Sequence, residues 1–545
     1  MQLDCNIDDE SKIRIREFFK QKDPHEYIRE FLSKYLYTNN SPQKENQMPS
    51  LFQPNPKPSN RMPISNTNES TSIPSLRVEF TKGSSFDDFS GITSTYFCFD
   101  FEVLGKHHFV KHISACQNPI IGQTIISPIP SDNIEYLLTT PIRISVSTES
   151  PNRRFIGFST ISWNHILSNR TESSSDIISS QGDVVGVVDY TLTLNNIDYR
   201  LLIKHLENIS DNNSSNQTLS DFRKWYRELK QHVNIEMINI SLLNSITPMY
   251  SRKLITPGHC FRYVCLFDNI CSPKGSSIIP NWAVIGSKFG DETEKLNVLV
   301  SFLRGFNLRS FVVVAKPHSF AVSLSFTPPV IFDVNNRNFG KNIPKETEHI
   351  SYLYNEEMIC VNLCPDESID WDIDNPIKWK TFHVQKDVNV FELKSDESEK
   401  RNESEIEIQL MRMIELHRTS VGLTTKWNQK LHSLLLPIVD SYEQEKINGS
   451  NLGIYSFASD AIRKSIKQFH AFRAAPAFVN SDNSNDIFKA IVKTKCGLEI
   501  MGSKDDDEMF AIVVKCNYYP CGAVATWVIL GIDSVSPLHT EKSTK

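Results

Sequence analysis

No stretch of this 545-residue chain approaches the roughly eighteen consecutive apolar residues that a membrane-spanning helix needs. The opening residues, MQLDCNIDDESK, are acidic and contain no apolar run, so they do not read as a signal peptide. The chain is therefore expected to be soluble and intracellular. An excess of positive charge is missing too. The 58 Lys and Arg stand against 64 Asp and Glu, a net charge of −6, which gives no case for nucleic acid as a partner. Paired CxxC knuckles are absent as well. The eleven cysteines come close together only at Cys360 and Cys364, at Cys516 and Cys521, and in the trio Cys260, Cys265 and Cys271. None has a His spacing that suits zinc, so they read as free thiols in a reducing compartment, and neither a metal nor another cofactor is expected. Without secretion the Asn-x-Ser/Thr sequons at Asn169, Asn208 and Asn216 carry no meaning.

The 39% hydrophobic and 10% aromatic content is enough for several real cores, and the length suggests a multidomain α+β chain. Residues 1–37 read as an N-terminal helical segment, with Ile28, Phe31, Leu32 and Tyr35 on one face after Asp23-Pro24. Residues 38–75, rich in Asn, Ser, Pro and Gln, read as a disordered linker. Over residues 76–205 the period changes to two. Phe97, Phe99, Phe101 and Val103 alternate with polar residues, as do Ile142, Ile144 and Val146, and then Val188, Tyr190, Leu192 and Leu194. Several half-buried strands of this kind imply a β-sandwich. The stretch TTPIRISVSTESPNRRFIGFSTISWNHIL resembles the late strands of a C2 domain, with Trp163 closing a turn. A calcium-binding C2 domain would place clustered carboxylates where this chain has Ser147, Thr148, Glu149 and Ser150, so no calcium is expected. Residues 206–240 hold a connecting helix whose Phe222, Trp225, Tyr226 and Leu229 suit interdomain packing. Residues 391–404 read as a charged linker. The last part, residues 405–545, is α+β: two helices lined by Ile406, Leu410, Met413, Ile414 and by Trp427, Leu431, Leu434, Leu435, then strands at MFAIVVKC and GAVATWVILGI. Gly422 is expected to end the first helix and Thr424 or Thr425 to cap the second.

Between them, residues 241–390 carry the most informative run, GDETEKLNVLVSFLRGFNLRSFVVVAKPHSFAVSLSFTPPVIFDV, from Gly290 to Val334. Leu296, Leu299, Val300 and Leu303 predict a helix from near Glu292, and Phe311–Ala315 a buried strand. Alternation from Phe320 to Phe326 predicts a second strand just after His318, and Val330–Val334 a third that carries Asp333. Helix, strand with His, strand with Asp is the order of a Cys-His-Asp site in a transglutaminase-like or papain-like fold. There the helix N-terminus lowers a thiol pKa, the His accepts the proton and the Asp orients the His. Here the helix start offers only Asp291, Glu292 and Thr293. The domain reads as degenerate and the protein as a pseudoenzyme, with Trp282, Glu292, His318 and Asp333 as a candidate peptide cleft.

Three segments carry a resemblance to the centrosomal protein of 76 kDa family. They are DPHEYIREFL (23–32), SRKLITPGHCFRYVCLF through Trp282 to GDETEKLNVLVSFLRGFNLRSFVVV, and EIEIQLMRMIELHRTSVGLTTKWNQKLHSLLLPIVDSYE (405–443), which continues into DAIRKSI and TWVILGI. The resemblance implies a centriole or basal-body protein with a C2 domain and a transglutaminase-like domain, without established enzymatic activity. It implies a cytoskeletal role in restraining centriole duplication or building the ciliary base, through centriolar and centrosomal partners. In the family motif Gly-Asp-Cys-Glu-Asp-His, Glu292 occupies the Cys position and Lys295 the His position. His318 and Asp333 match the later His and carboxylate. The expected function is a non-catalytic scaffold. The alternatives are a reader of peptides such as tubulin tails in the degraded cleft, and an adaptor that meets a membrane surface through the C2-like domain, with Arg143, Arg153, Arg154 and Lys204 as its candidate basic face.

Overall fold

A computed structural model describes residues 74–87, 95–129, 140–149, 153–163, 172–196, 214–231, 238–270, 279–365, 369–384, 390–395, 400–449, 454–466, 470–504 and 507–535. The N-terminal helical segment and, apart from Pro74 and Ser75, the following linker lie outside the described residues. The rest belongs to one compact unit, Ser72–Lys545.

Eight antiparallel strands form its first part: β1 (Ser75–Ser84), β2 (Tyr96–Val103), β3 (Lys106–Ser114), β4 (Ile120–Pro128), β5 (Ile142–Thr148), β6 (Phe155–Ile161), β7 (Glu172–Ile178) and β8 (Val184–Asn195). Their order is β3-β2-β5-β6-β7-β8-β1-β4. Strands β6 and β7 share only the pair Phe158 and Ile178, so the sheet folds there into two four-stranded layers. Phe80 of β1 stacks on Phe101 of β2 at 3.8 Å across the interior, beside the buried Phe97, Phe99 and Val103. This is the β-sandwich that the alternation implied. Trp163 is buried and donates its indole N–H to the Thr140 carbonyl at 3.0 Å. The alternate face of β2 differs from expectation. Asp100 and Glu102, polar residues that a half-buried strand would turn to water, are each only 2% exposed, because the middle part of the chain covers them.

That middle part begins with the connecting helix α1 (Ser214–Leu229), whose Phe222 and Trp225 pack on Phe382 at 5.3 and 5.4 Å. Helices α2 (Pro257–Val264), α3 (Asn281–Ser287) and α4 (Glu292–Gly305) follow. They precede an antiparallel sheet of β9 (Ser310–Lys316), β10 (Phe320–Ser323), β11 (Val330–Asp333), β12 (Asn338–Gly340), β13 (His349–Tyr354), β14 (Met358–Asn362) and β15 (Trp379–His383), in the order β12-β11-β10-β9-β13-β14-β15. Leu296, Leu299, Val300 and Leu303 of α4 share a core with Val312, Ala321 and Phe332 of the sheet, as the helical stripe requires. Strand β10 stops at Ser323, three residues short of the alternating pattern.

The stretch read as a linker, 391–404, carries structure of its own. Phe391–Glu392 pairs with Met249–Tyr250, Lys394–Ser395 extends the sandwich beside β3, and the next helix already starts at Glu403. The last part holds α5 (Glu403–Ser420), α6 (Gln429–Asn448), α7 (Ile454–Ser465), β16 (His470–Val479), α8 (Ser484–Lys493), α9 (Lys495–Met501), β17 (Met509–Tyr518) and β18 (Val524–Val535), with sheet order β16-β18-β17. Neither Thr424 nor Thr425 caps α6. The cap is Asn428, whose side chain accepts from the N–H groups of Lys430 and Leu431, because Trp427 is drawn into a bridge with Phe510.

Candidate functional site

Helix α4 starts where its sequence says it should. The Asp291 side chain accepts from Glu294 N at 2.8 Å, and Glu294 Oε2 accepts from Asp291 N at 2.8 Å, a reciprocal capping box. The other Glu294 oxygen accepts from Ile279 N at 2.8 Å. Burial, with the Asp291 charge adding to it, lifts the Glu294 carboxyl to about 7 against the pull of these amides.

This cap sets Glu292 at the first turn of α4, facing the β9–β10 turn. The Nδ1 of His318 lies 3.7 Å from Glu292 Oε2, with the His side chain 56% and the Glu side chain 26% exposed. The predicted pair is therefore brought together, at the surface. Glu292 Oε1 accepts from Asn335 Nδ2 at 2.7 Å. Partial burial raises the Glu292 carboxyl, opposed by His318, by the Asn335 amide and by the Ser319 N–H.

The bonds of Asp333 run to its own loop rather than to His318. Its Oδ1 accepts from the backbone N–H groups of Asn335 and Asn336, each at 3.0 Å, and its Oδ2 from Asn336 Nδ2 at 2.8 Å. It shapes the turn that carries Asn335 to Glu292. Lys295, at the motif's second position, is buried and donates through Nζ to the Phe267 carbonyl at 2.8 Å and to Asn269 Oδ1. Trp282 faces the sandwich: its ring meets Phe158 edge-on at 5.7 Å and lies 5.5 Å beneath the Arg143 guanidinium. The four candidate cleft residues thus divide into a facing pair, a loop-shaping carboxylate and an interdomain anchor.

Among the described residues near this helix no thiol is placed to act as a nucleophile. Cys260 and Cys265 are buried, and burial pushes both thiols up, Cys265 to about 12. Cys271 lies outside the described residues. A carboxylate facing an imidazole can share a proton with it and bind polar groups, but it offers no activated sulfur.

Sequence reasoning missed a second polar group. In the seam between the sandwich and α3, His107 Nδ1 lies 2.8 Å from Asp100 Oδ2, and Arg143 donates to Glu102 Oε1 at 2.8 Å. Arg153 pairs with Asp268 at 2.7 Å and stacks over Phe289. Two of the four arginines and lysines proposed as a basic membrane face are therefore engaged between domains, and Lys204 lies outside the described residues. Nothing in one dimension marks Asp100 and Glu102 as buried, since His107 and Arg143 come from the strands on either side of β2 and the covering helix α3 comes from another part of the chain.

A family profile for the Centrosomal protein of 76 kDa C-terminal domain matches residues 395–535. Proteins called Centrosomal protein of 76 kDa align over 336 residues in mouse (24% identical) and in Xenopus tropicalis (25%), in each case 54% of this chain and 51% of the relative. The chain is similar to the centrosomal protein of 76 kDa family. It spans about half the length of the curated relatives it matches. The family profile covers helices α5 to α9 and the β16-β18-β17 sheet. Solved C2 domains also align: that of plant extended synaptotagmin 1 at 11% identity over 23% of this chain and 97% of its own, and that of a putative elicitor-responsive gene product at 10% over 24% and 93%. Their TM-scores are 0.18, so the sandwich assignment rests on the strand order of this chain.

Proposed function

We propose that this protein is a non-catalytic scaffold of the centriole or basal body, with a C2-like sandwich and a degenerate transglutaminase-like domain, and that it acts in controlling centriole duplication or assembling the ciliary base. The observation that carries the reading is Glu292, the carboxylate at the position read as the nucleophile's: it is held by Asn335 and faces a His318 that Asp333 does not orient. The family's name locates its members at the centrosome, and centrosomal proteins are the implied partners. A chain that works through surfaces needs rigid parts, and the buried seams between its domains provide them.

The test is replacement of the endogenous protein by Glu292→Ala in a centriolate cell. Normal centriolar localisation and centriole number are expected. Thiol-type transamidation or peptide cleavage by the wild-type protein that disappears in His318→Ala would overturn the reading.

A second reading has one observation in its favour. The Glu292–His318 pair is open to solvent, so it can bind a peptide without cutting it, tubulin tails among the candidates. A membrane-adaptor role is less favoured, because Arg143 and Arg153 are used internally.

A further inference from the structure

A cleft of about 1390 Å³ opens where the three parts of the compact unit meet, larger than the roughly 300–1,000 Å³ of ordinary small-molecule pockets. Its walls carry Lys111 from β3, Lys288 and Arg337 from the middle part, and Lys489 and Lys493 from α8. Among the described residues none of these five has a carboxylate partner. Lys288 sits in a left-handed backbone conformation (φ 61°), with its ammonium 4.4 Å above the Phe109 ring. Two of the four cleft carboxylates have basic partners and two accept from hydroxyls. Asp268 pairs with Arg153, Glu149 with His112, Asp486 accepts from Ser481, and Asp482 accepts from Tyr518. Asp482 and Asp486 keep their charge, but the seven Lys and Arg residues that line the cleft outnumber its four carboxylates, so its balance is positive although the chain as a whole carries a net −6.

One wall is a sheet edge. Among the described residues strand β16 pairs only with β18, and Pro476, Ala477, Phe478 and Val479 line the cleft. Its alternation can be read from two residues. The Ala474 carbonyl accepts from Cys496 Sγ rather than from the sheet, and Pro476 has no N–H to give to a neighbour. By the two-residue period Phe478 faces the same way, so its N–H and carbonyl are offered to the cleft. Extended chains add to such edges through main-chain hydrogen bonds, with flanking side chains choosing the sequence.

We propose that this cleft binds an extended acidic peptide of a partner protein, laid along the β16 edge with its carboxylates between the lysines of α8 and Lys111, Lys288 and Arg337. Cations distributed over several walls suit a linear polyanion better than one compact anion. The concave shape and the backbone edge suit a peptide better than a flat membrane or a duplex. The proposal is independent of the Glu292–His318 reading, although the Asp333 loop touches both: Asn335 binds Glu292, and Arg337 two residues on lines the cleft.

The experiment is fluorescence anisotropy on the full chain with a labelled peptide of alternating glutamate and valine. A lysine–valine peptide and an oligodeoxythymidine serve as comparators. The acidic peptide is expected to bind, more weakly at high salt. Lys489→Glu with Lys493→Glu, and separately Arg337→Glu, should each weaken it by about tenfold or more. The control Lys430→Glu, on the exposed start of α6, should leave it unchanged, as should Glu292→Ala. Lys430, Lys489, Lys493 and Arg337 are exposed and Glu292 is half-buried, and unchanged thermal midpoints verify that the variants fold. Three results overturn the proposal: no binding of the acidic peptide, binding indifferent to the charge reversals, or equal binding of the lysine peptide. Tighter binding of the oligonucleotide also overturns it and reassigns the cleft to single-stranded nucleic acid.

Discussion

At the scale of single residues the most consequential group is His107. It lies 2% exposed beside Asp100 and 3.9 Å from Glu102, with Arg143 closing the cluster. Burial alone would lower its pKa and Arg143 does so further, but Asp100 and Glu102 outweigh them and the imidazole stands raised. Its charged form is therefore better held folded than unfolded. The stability it contributes is fully present below the unfolded value of 6.5 and is lost as pH rises through the higher folded value. Urea midpoints of the wild type should fall over that interval, and those of His107→Ala should not. The variant should cost about 3 kcal/mol at pH 6, because it leaves Asp100 buried without its cation. A variant with the wild-type pH slope would show that another group titrates there. The same scale shows what the sequence reveals about the candidate site. The meeting of Glu292 with His318 was legible, because helix, turn and strand have strong local periods. The role of Asp333 was not, because a carboxylate two residues before two asparagines satisfies its own turn as readily as it orients a distant His.

At the scale of elements, α4 shows how much a cap decides. Replacing Asp291 with Ala removes one half of the capping box and should cost about 1 kcal/mol, with Asp291→Asn costing less. Glu294, the other half, has a folded value near 7 against 4.5 for the free group, so the folded protein holds its proton to higher pH. Ionising it works against folding, and stability should fall as pH rises from 4.5 towards 7 and then level off. Glu294→Gln should flatten that segment and leave the His107 segment above 6.5 intact. Chemical denaturation at close pH intervals separates the two. Helices and strands with clear periods, such as Leu296 to Leu303 and Phe97 to Val103, were readable to within a few residues. Their ends were less so. Thr424 and Thr425 look like better caps than Asn428 until the bridge between Trp427 and Phe510 fixes where α6 can begin.

For the molecule as a whole, the seams are built as tightly as cores. A Cβ on Gly286 of α3 would meet Asp100 Oδ2 at 2.0 Å, and one on Gly258 of α2 would meet the Ile447 carbonyl at 2.0 Å, so helices of the middle part lie directly on the sandwich and on α6. Tyr519, Cys521, Ala523 and Ala525 of the last part enter the same core as Phe261 and Leu299. At that seam Arg262 makes a two-pronged pair with Glu443 at 2.7 and 2.9 Å, and Glu443 also accepts from Tyr519 at 2.5 Å and Trp527 at 2.7 Å. None of this was visible in sequence, where Arg262 and Glu443 stand 181 positions apart in separate domains. A buried pair satisfied by two further donors is costly to break from one side, since the remaining charge has no water to turn to. Glu443→Gln should therefore cost about 3 kcal/mol or more and loosen the middle and last parts from each other. Calorimetry should then show two overlapping transitions where the wild type is expected to show one. If Glu443→Gln instead lowers a single transition without splitting it, the shared apolar core alone couples the domains, and the ion pair fixes only their registration.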